Sequence, residues 1–168
     1  KKCGILNRDL SEIVAGMGHT DMLVVCDAGF PIPADARRID LAVSEGNPRF
    51  ADVVQVILRE LAVEKVIAEA ETETYNLAVY EEIRSIFSDT PIEKIPHAEF
   101  KKMLGQVKAV VRTGEFTPYS NIILVGGVVT EGVSTASTSA AIEPYSLLAV
   151  TAAVMCRHTF STGFGCGM

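Results

Sequence analysis

Met22-Leu23-Val24-Val25-Cys26-Asp27-Ala28-Gly29-Phe30-Pro31-Ile32-Pro33 is the stretch on which the reading of this chain turns. Its five opening residues are apolar without alternation, which predicts a short strand buried on both faces, as in an α/β sheet. The run stops on a carboxylate, and Gly29, Pro31 and Pro33 prevent regular pairing from continuing. Ligands of open α/β sheets gather at the carboxyl ends of strands, so Asp27 stands where a binding residue belongs. There it either accepts hydrogen bonds from ligand hydroxyls or starts an Asx-turn into the loop.

Helix and strand signals alternate outward from that strand. Upstream, Asp9 and Glu12 are spaced like a capping box, Leu10, Ile13, Val14 and Met17 form one apolar face, and Gly16 and Gly18 stop the helix. Downstream, residues 38–43 alternate as a strand ended by the turn Ser44-Glu45-Gly46. Asn47 is placed as an N-cap with Pro48 in the first helical position, and Phe50, Val53, Ile57 and Leu61 follow at helical spacing. A strand over 63–68 and a helix over 75–87, with Leu77, Tyr80, Ile83 and Phe87 buried, come next. The remainder reads as strand 93–96, helix 98–104, strand 107–112, the turn Thr113-Gly114 and strand 122–125. This order predicts an α/β fold, a layered single domain with a mixed β-sheet flanked by helices.

Composition sets the outer bounds. At 168 residues, 48% hydrophobic and 21% charged, the chain is long enough for a core without metal or disulfide staples. A net charge of -6 argues against a nucleic-acid binder or a basic membrane-surface protein. Cys3, Cys26, Cys156 and Cys166 form no CxxC pair, and Cys26 reads as a small buried hydrophobe. No apolar leader follows Lys1-Lys2, and the uncharged apolar stretch nearest the C-terminus, 145–156, is too short to span a bilayer. A cytoplasmic location is expected. Charge falls away after Thr130, where Ser and Thr become dense, so residues 1–130 are read as the domain and 131–168 as a Ser/Thr/Ala-rich extension. Within that extension Ser146 to Met155 fits a short apolar helix.

Few polar residues are placed for chemistry. His19, in Gly18-His19-Thr20-Asp21 before the buried strand, suits general acid/base work or is a loop histidine bonded to backbone. Asp21 either caps that turn or holds the imidazole tautomer. Asp40, alternating in its strand, fits a salt bridge better than catalysis. His97 opens a short helix as a cap or as a second ligand contact, and Lys101 shares its helix face. Tyr119-Ser120-Asn121 offers donors and acceptors that suit a neutral polyol better than a phosphate, although turn chemistry also explains Asn121. Dinucleotide, Walker-type and GxSxG patterns are absent, and His19, His97 and His158 have no metal-ligand spacing, so neither cofactor nor metal is expected.

Taken in order, Gly4-Ile5-Leu6-Asn7, Gly18-His19-Thr20-Asp21, Cys26 to Pro33, Arg38-Ile39-Asp40-Leu41 and Arg112 to Leu124 resemble the D-ribose pyranase family of sugar mutarotases, which includes the related L-fucose mutarotases. The resemblance runs from about residue 2 to 129. It implies interconversion of the pyranose and furanose forms of D-ribose in a homo-oligomer, a decamer of two pentameric rings with sites near subunit boundaries. Carried onto this chain, it makes His19 the proton donor and Asp27, His97, Tyr119, Ser120 and Asn121 the sugar contacts. Asp21 and Lys101 become neighbours of the site, and Tyr119 and Asn121 are expected to complete a neighbouring chain's pocket. His158 has no family counterpart. Two competing expectations are an L-fucose mutarotase and a sugar-binding assembly protein whose catalysis the extension impairs.

Overall fold

The computed structural model describes residues 1–129; the expected extension, its helix over 146–155, His158, Cys156 and Cys166 lie outside the described residues. The described residues form twelve short elements, in which the anticipated helices and strands recur in order, joined by an unanticipated helix and a 3-10 turn. The strands are β1 (Met22–Cys26), β2 (Arg38–Asp40), β3 (Val63–Glu69), β4 (Ile92–Ile95), β5 (Ala109–Arg112) and β6 (Ile122–Gly126). The helices are α1 (Arg8–Ala15), α2 (Phe50–Leu58), α3 (Ala70–Tyr75), α4 (Leu77–Ile86) and α5 (His97–Met103), the last followed by a 3-10 turn, Leu104–Gln106.

One six-stranded sheet runs in the order β2-β5-β1-β6-β3-β4. β5 pairs parallel with β1 and β2, β3 pairs parallel with β4, and β6 alone runs antiparallel, against both β1 and β3. The carboxyl ends of five strands therefore share one edge of the sheet with the start of β6. That arrangement creates the site.

The continuous apolar run of β1 is buried on both faces, as its composition requires. Leu23 and Val25 pack with Leu10, Ile13, Val54, Ile57 and Ile83 beneath α1, α2 and α4. Val24 and Cys26 face the opposite layer, where Phe30, Phe100 and Leu104 cover the sheet. Burial pushes the Cys26 thiol well above its ordinary range, which leaves it inert at neutral pH.

Several local expectations change. Asn7, rather than the Asp9/Glu12 box, caps α1: its Oδ1 accepts from the Leu10 N–H at 2.9 Å. The strand expected over 38–43 shrinks to three residues at the sheet edge. Asn47 does not cap α2, because its backbone pairs with Ser44 in a bridge and the Pro48 carbonyl accepts from Gly114; the helix begins after Arg49. The helix expected over 75–87 is α4, which starts only after Asn76; Tyr75 instead ends α3, a helix that was not expected, and Leu77 is exposed rather than buried. Tyr80, Ile83 and Phe87 are buried as anticipated.

Candidate active site

A cavity of about 530 Å³ opens at the shared strand edge, lined by Asp27, Phe30, His97, Arg112, Tyr119 and Asn121 among others. Each polar member is delivered by a strand end: Asp27 follows β1, His97 follows β4 through Pro96, Arg112 closes β5 and Asn121 precedes β6. A larger hollow beside α4, about 680 Å³, is lined by Tyr80, Glu81, Arg84 and Ser85 and brings no buried polar side chain together.

Beneath the cavity floor the polar groups are bonded to one another. The Asp27 N–H donates to Asn121 Oδ1 at 3.0 Å, and Asn121 Nδ2 donates to Glu69 Oε2 at 3.2 Å. The other carboxylate oxygen of Glu69 meets His97 Nδ1 at 2.7 Å. Glu69 is 0% exposed and Asn121 1%, so this chain lies in a low-dielectric interior where every group must be satisfied. Asp27 Oδ1 accepts from the Gly29 N–H at 2.8 Å, an Asx-turn formed in addition to pocket lining. Burial raises the carboxyl of Asp27 above its ordinary value against the pull of the Gly29 and Asn121 hydrogen bonds. Burial likewise raises Glu69, opposed by its bonds to His97 and Asn121.

Tyr119 stands in the left-handed region at φ 62°, unusual for an aromatic residue. Its backbone is held there by α3 and the residue that ends it: Thr72 Oγ1 donates to the Tyr119 carbonyl at 2.7 Å, and Asn76 Nδ2 donates to the Pro118 carbonyl. The Tyr119 ring stacks on Tyr75 at 5.6 Å and meets the His97 imidazole edge-on at 5.7 Å. Phe30 approaches the same imidazole at 6.3 Å and is itself backed by Phe100, ring to ring at 5.8 Å, so Tyr119 and Phe30 brace the imidazole. Arg112 spends its charge within the wall, donating to the Ala28 carbonyl at 2.9 Å and pairing with Asp40 at 3.0 Å. The Asp40 ion pair is the one its alternation suggested, and it leaves the cavity poorly suited to a phosphate.

The structure brings Asp27, His97, Tyr119 and Asn121 together within one chain; the segment expected to complete a neighbour's cavity lines its own. Ser120 is buried beside them, its hydroxyl donating to the Thr117 carbonyl at 2.8 Å. Lys101 is exposed on α5 and does not line the cavity. His19 lies at the opposite edge. It precedes β1 whereas Asp27 follows it, and five strand residues separate the edges by about 17 Å. There His19 Nε2 meets Glu64 Oε2 at 2.8 Å with 54% of its side chain exposed. Asp21 caps the turn, accepting from the Gly18 N–H at 2.8 Å and facing Lys108, and makes no bond to the imidazole.

Glu69, Glu71 and Thr72 were not anticipated. Glu71 accepts the His97 backbone N–H at 2.9 Å, which fixes the start of α5 in place of a capping side chain. The signal for Glu69 was strand parity. Val66 and Ala68 face one core layer and Ile67 the other, so extending the strand by one residue puts Glu69 on the buried Ile67 side.

Fold and cavity together define an α/β protein with a compact site suited to a small, uncharged, hydroxylated ligand. The model described as the RbsD / FucU transport protein family matches residues 1–129, and the chain belongs to that family. It is 50% identical over 128 residues to a protein of Geobacillus thermodenitrificans named D-ribose pyranase, spanning 76% of this chain and 97% of that one. A Petrotoga mobilis protein of the same name is 50% identical over 129 residues, covering 77% and 98%. Among solved structures, Bacillus subtilis RbsD complexed with D-ribose superposes at TM-score 0.74 with 48% identity, over 77% of this chain and 98% of that one. The fucose mutarotase of Streptococcus pneumoniae in complex with L-fucose shares the fold, at TM-score 0.65 and 23% identity, over 74% and 94%. Among the described residues no helix is long and apolar enough to cross a membrane.

Proposed function

We propose that this chain is a D-ribose pyranase, an isomerase that opens the pyranose ring of D-ribose and recloses it as the furanose, and the reverse. The observation that carries the reading is the convergence of Asp27, His97, Tyr119 and Asn121 on one cavity where Arg112, the one guanidinium lining it among the described residues, is already paired. Nearly full-length similarity to proteins named for this activity supports it. Opening a hemiacetal needs a base to take the anomeric hydroxyl proton and an acid to protonate the ring oxygen as its bond to C1 breaks. The open-chain aldehyde then rotates, and O4 attacks C1 in place of O5.

In this proposal Asp27, Tyr119 and Asn121 hold sugar hydroxyls, Ser120 offers a backbone contact, and His19 supplies the proton to the ring oxygen. His19 stands a strand-length from its own cavity, so it acts on the cavity of a neighbouring copy. A ring assembly, a decamer of two pentamers, provides such neighbours, and a cytoplasmic enzyme of this kind needs no cofactor. Asp21 acts at a distance, by shaping the His19 turn, and Lys101 stays at the periphery.

Saturation-transfer NMR of ribose with the full chain tests the reading: faster pyranose–furanose exchange supports it, and exchange at the rate of buffer alone overturns it. One observation favours a second reading. Because His19 is absent from its own cavity, a chain that fails to assemble binds sugar without turning it over. Saturable ribose binding without exchange, restored in a chain ending at Val129, identifies that case.

A further inference from the structure

We infer that Glu69 is a positioning residue that holds His97 with its proton on Nδ1, leaving Nε2 as the atom that accepts the anomeric hydroxyl proton in the cavity. This inference rests on the proposed ribose chemistry for its last step, whereas the tautomer itself does not.

The logic follows the donors. A backbone N–H only donates, so the Asp27 N–H fixes Asn121 with Oδ1 toward it and Nδ2 toward Glu69. One Glu69 oxygen is thus committed as an acceptor. The other lies 2.7 Å from His97 Nδ1, a length typical of a charge-assisted bond. A carboxylate offers acceptors to both partners at once, and it does so with its side chain fully enclosed. His97 Nε2 has no hydrogen-bond partner among the described residues, and its ring lines the cavity. Phe30 and Tyr119 set the ring's edges, and the Glu71 carboxylate sets its backbone.

The proton count closes. The anomeric O1–H proton moves to Nε2 and the O1 lone pair forms the C1=O bond. The C1–O5 electron pair leaves with O5, which takes a proton from His19 of a neighbouring copy. The imidazolium formed at His97 faces Glu69, whose negative charge stabilises it as it develops. Reclosure through O4 returns the proton from Nε2 to O1 and that of O4 to His19.

The test is long-range 1H–15N NMR of the 15N-labelled full chain at neutral pH, with His97 assigned from the spectrum of His97→Gln. Protonated Nδ1 and bare Nε2 are expected in the unmodified chain. Glu69→Gln sets an amide donor against Asn121 or His97, so it is expected to populate the Nε2–H tautomer. It should also slow exchange at saturating ribose by about 10–100-fold, with a much smaller change in the half-saturating concentration. His97 carrying its proton on Nε2 in the unmodified chain overturns the inference, whether or not Glu69→Gln folds. So does a folded Glu69→Gln with unchanged tautomer and rate. The expected tautomer in a chain that does not accelerate ribose exchange supports the positioning and overturns the functional reading instead.

Discussion

Two histidine–glutamate pairs occupy opposite edges of the same sheet. His97–Glu69 spans 2.7 Å and His19–Glu64 spans 2.8 Å, so distance alone does not tell them apart. Burial does. Glu69 is 0% exposed and shares its second oxygen with Asn121, whereas the side chain of Glu64 is 39% exposed and that of His19 54%. An ion pair in water contributes little and rearranges freely. A pair whose carboxylate is fully enclosed orients its members, since every alternative leaves that buried group unsatisfied. The same two side chains thus make a fixed device at one edge and an adaptable, outward-facing one at the other.

The largest effect should come from the exposed edge. His19→Ala is expected to lower ribose exchange by about 10²–10⁴-fold while leaving the fold intact, since the side chain is more than half exposed and its bond is to the exposed Glu64. Saturation transfer with circular dichroism checks both halves, and an unchanged rate removes His19 from the reaction.

Next comes the enclosed edge. Asn121→Ala orphans the Asp27 N–H and one Glu69 oxygen, and urea unfolding is expected to show a loss of about 2–4 kcal/mol. A loss below a few tenths would mean that the buried groups are satisfied some other way.

A third test uses pH. Asp27 and Glu69 both have carboxyls raised by burial, so the folded chain holds their protons more tightly than the unfolded chain. Their contribution to stability is therefore greatest below the ordinary carboxylate values of 3.8 and 4.5 and is lost as pH rises through the raised ones. Asp21 and Glu115 are lowered and act in the opposite sense, but they are common to both chains in a comparison with Asp27→Asn. The stability of the unmodified chain relative to Asp27→Asn is expected to fall from acid to neutral pH, read from urea midpoints. A rise would reverse the assigned direction. The smallest effect belongs to Glu64→Gln, which should change stability by less than about 1 kcal/mol in the same assay.

What the sequence disclosed follows the same division. β1 was legible to the residue because five consecutive apolar side chains admit few other fates, and Asp27 was legible because the sheet must end where that run ends. α3 was not. Ala70-Glu71-Thr72-Glu73-Thr74-Tyr75 has no apolar stripe, and what ties it to the rest is distant in sequence: Thr72 to the Tyr119 carbonyl, Glu71 to the His97 N–H. Glu69 sits in a charged stretch that composition assigns to the surface; strand parity points it inward, and its partners His97 and Asn121 make that burial tolerable. The four cavity residues were readable from motifs, but their gathering in one chain, apart from His19, depended on strand directions that local patterns do not encode.

β6 is the one strand that runs against its neighbours, so its ends belong to different edges. Asn121 stands just before its first residue, in the cavity; its last residue, Gly126, accepts from the Thr20 N–H in the turn that carries His19. A Cβ at Gly126 would come within 2.6 Å of the Gly18 carbonyl, so that junction tolerates only glycine without a shift. A slip of one residue would turn every β6 side chain to the wrong layer. The strand therefore works as a gauge block: it sets how far the His19 turn stands from the cavity that Asn121 lines, and an assembly in which the His19 of one copy served the cavity of another would have to match that built-in length.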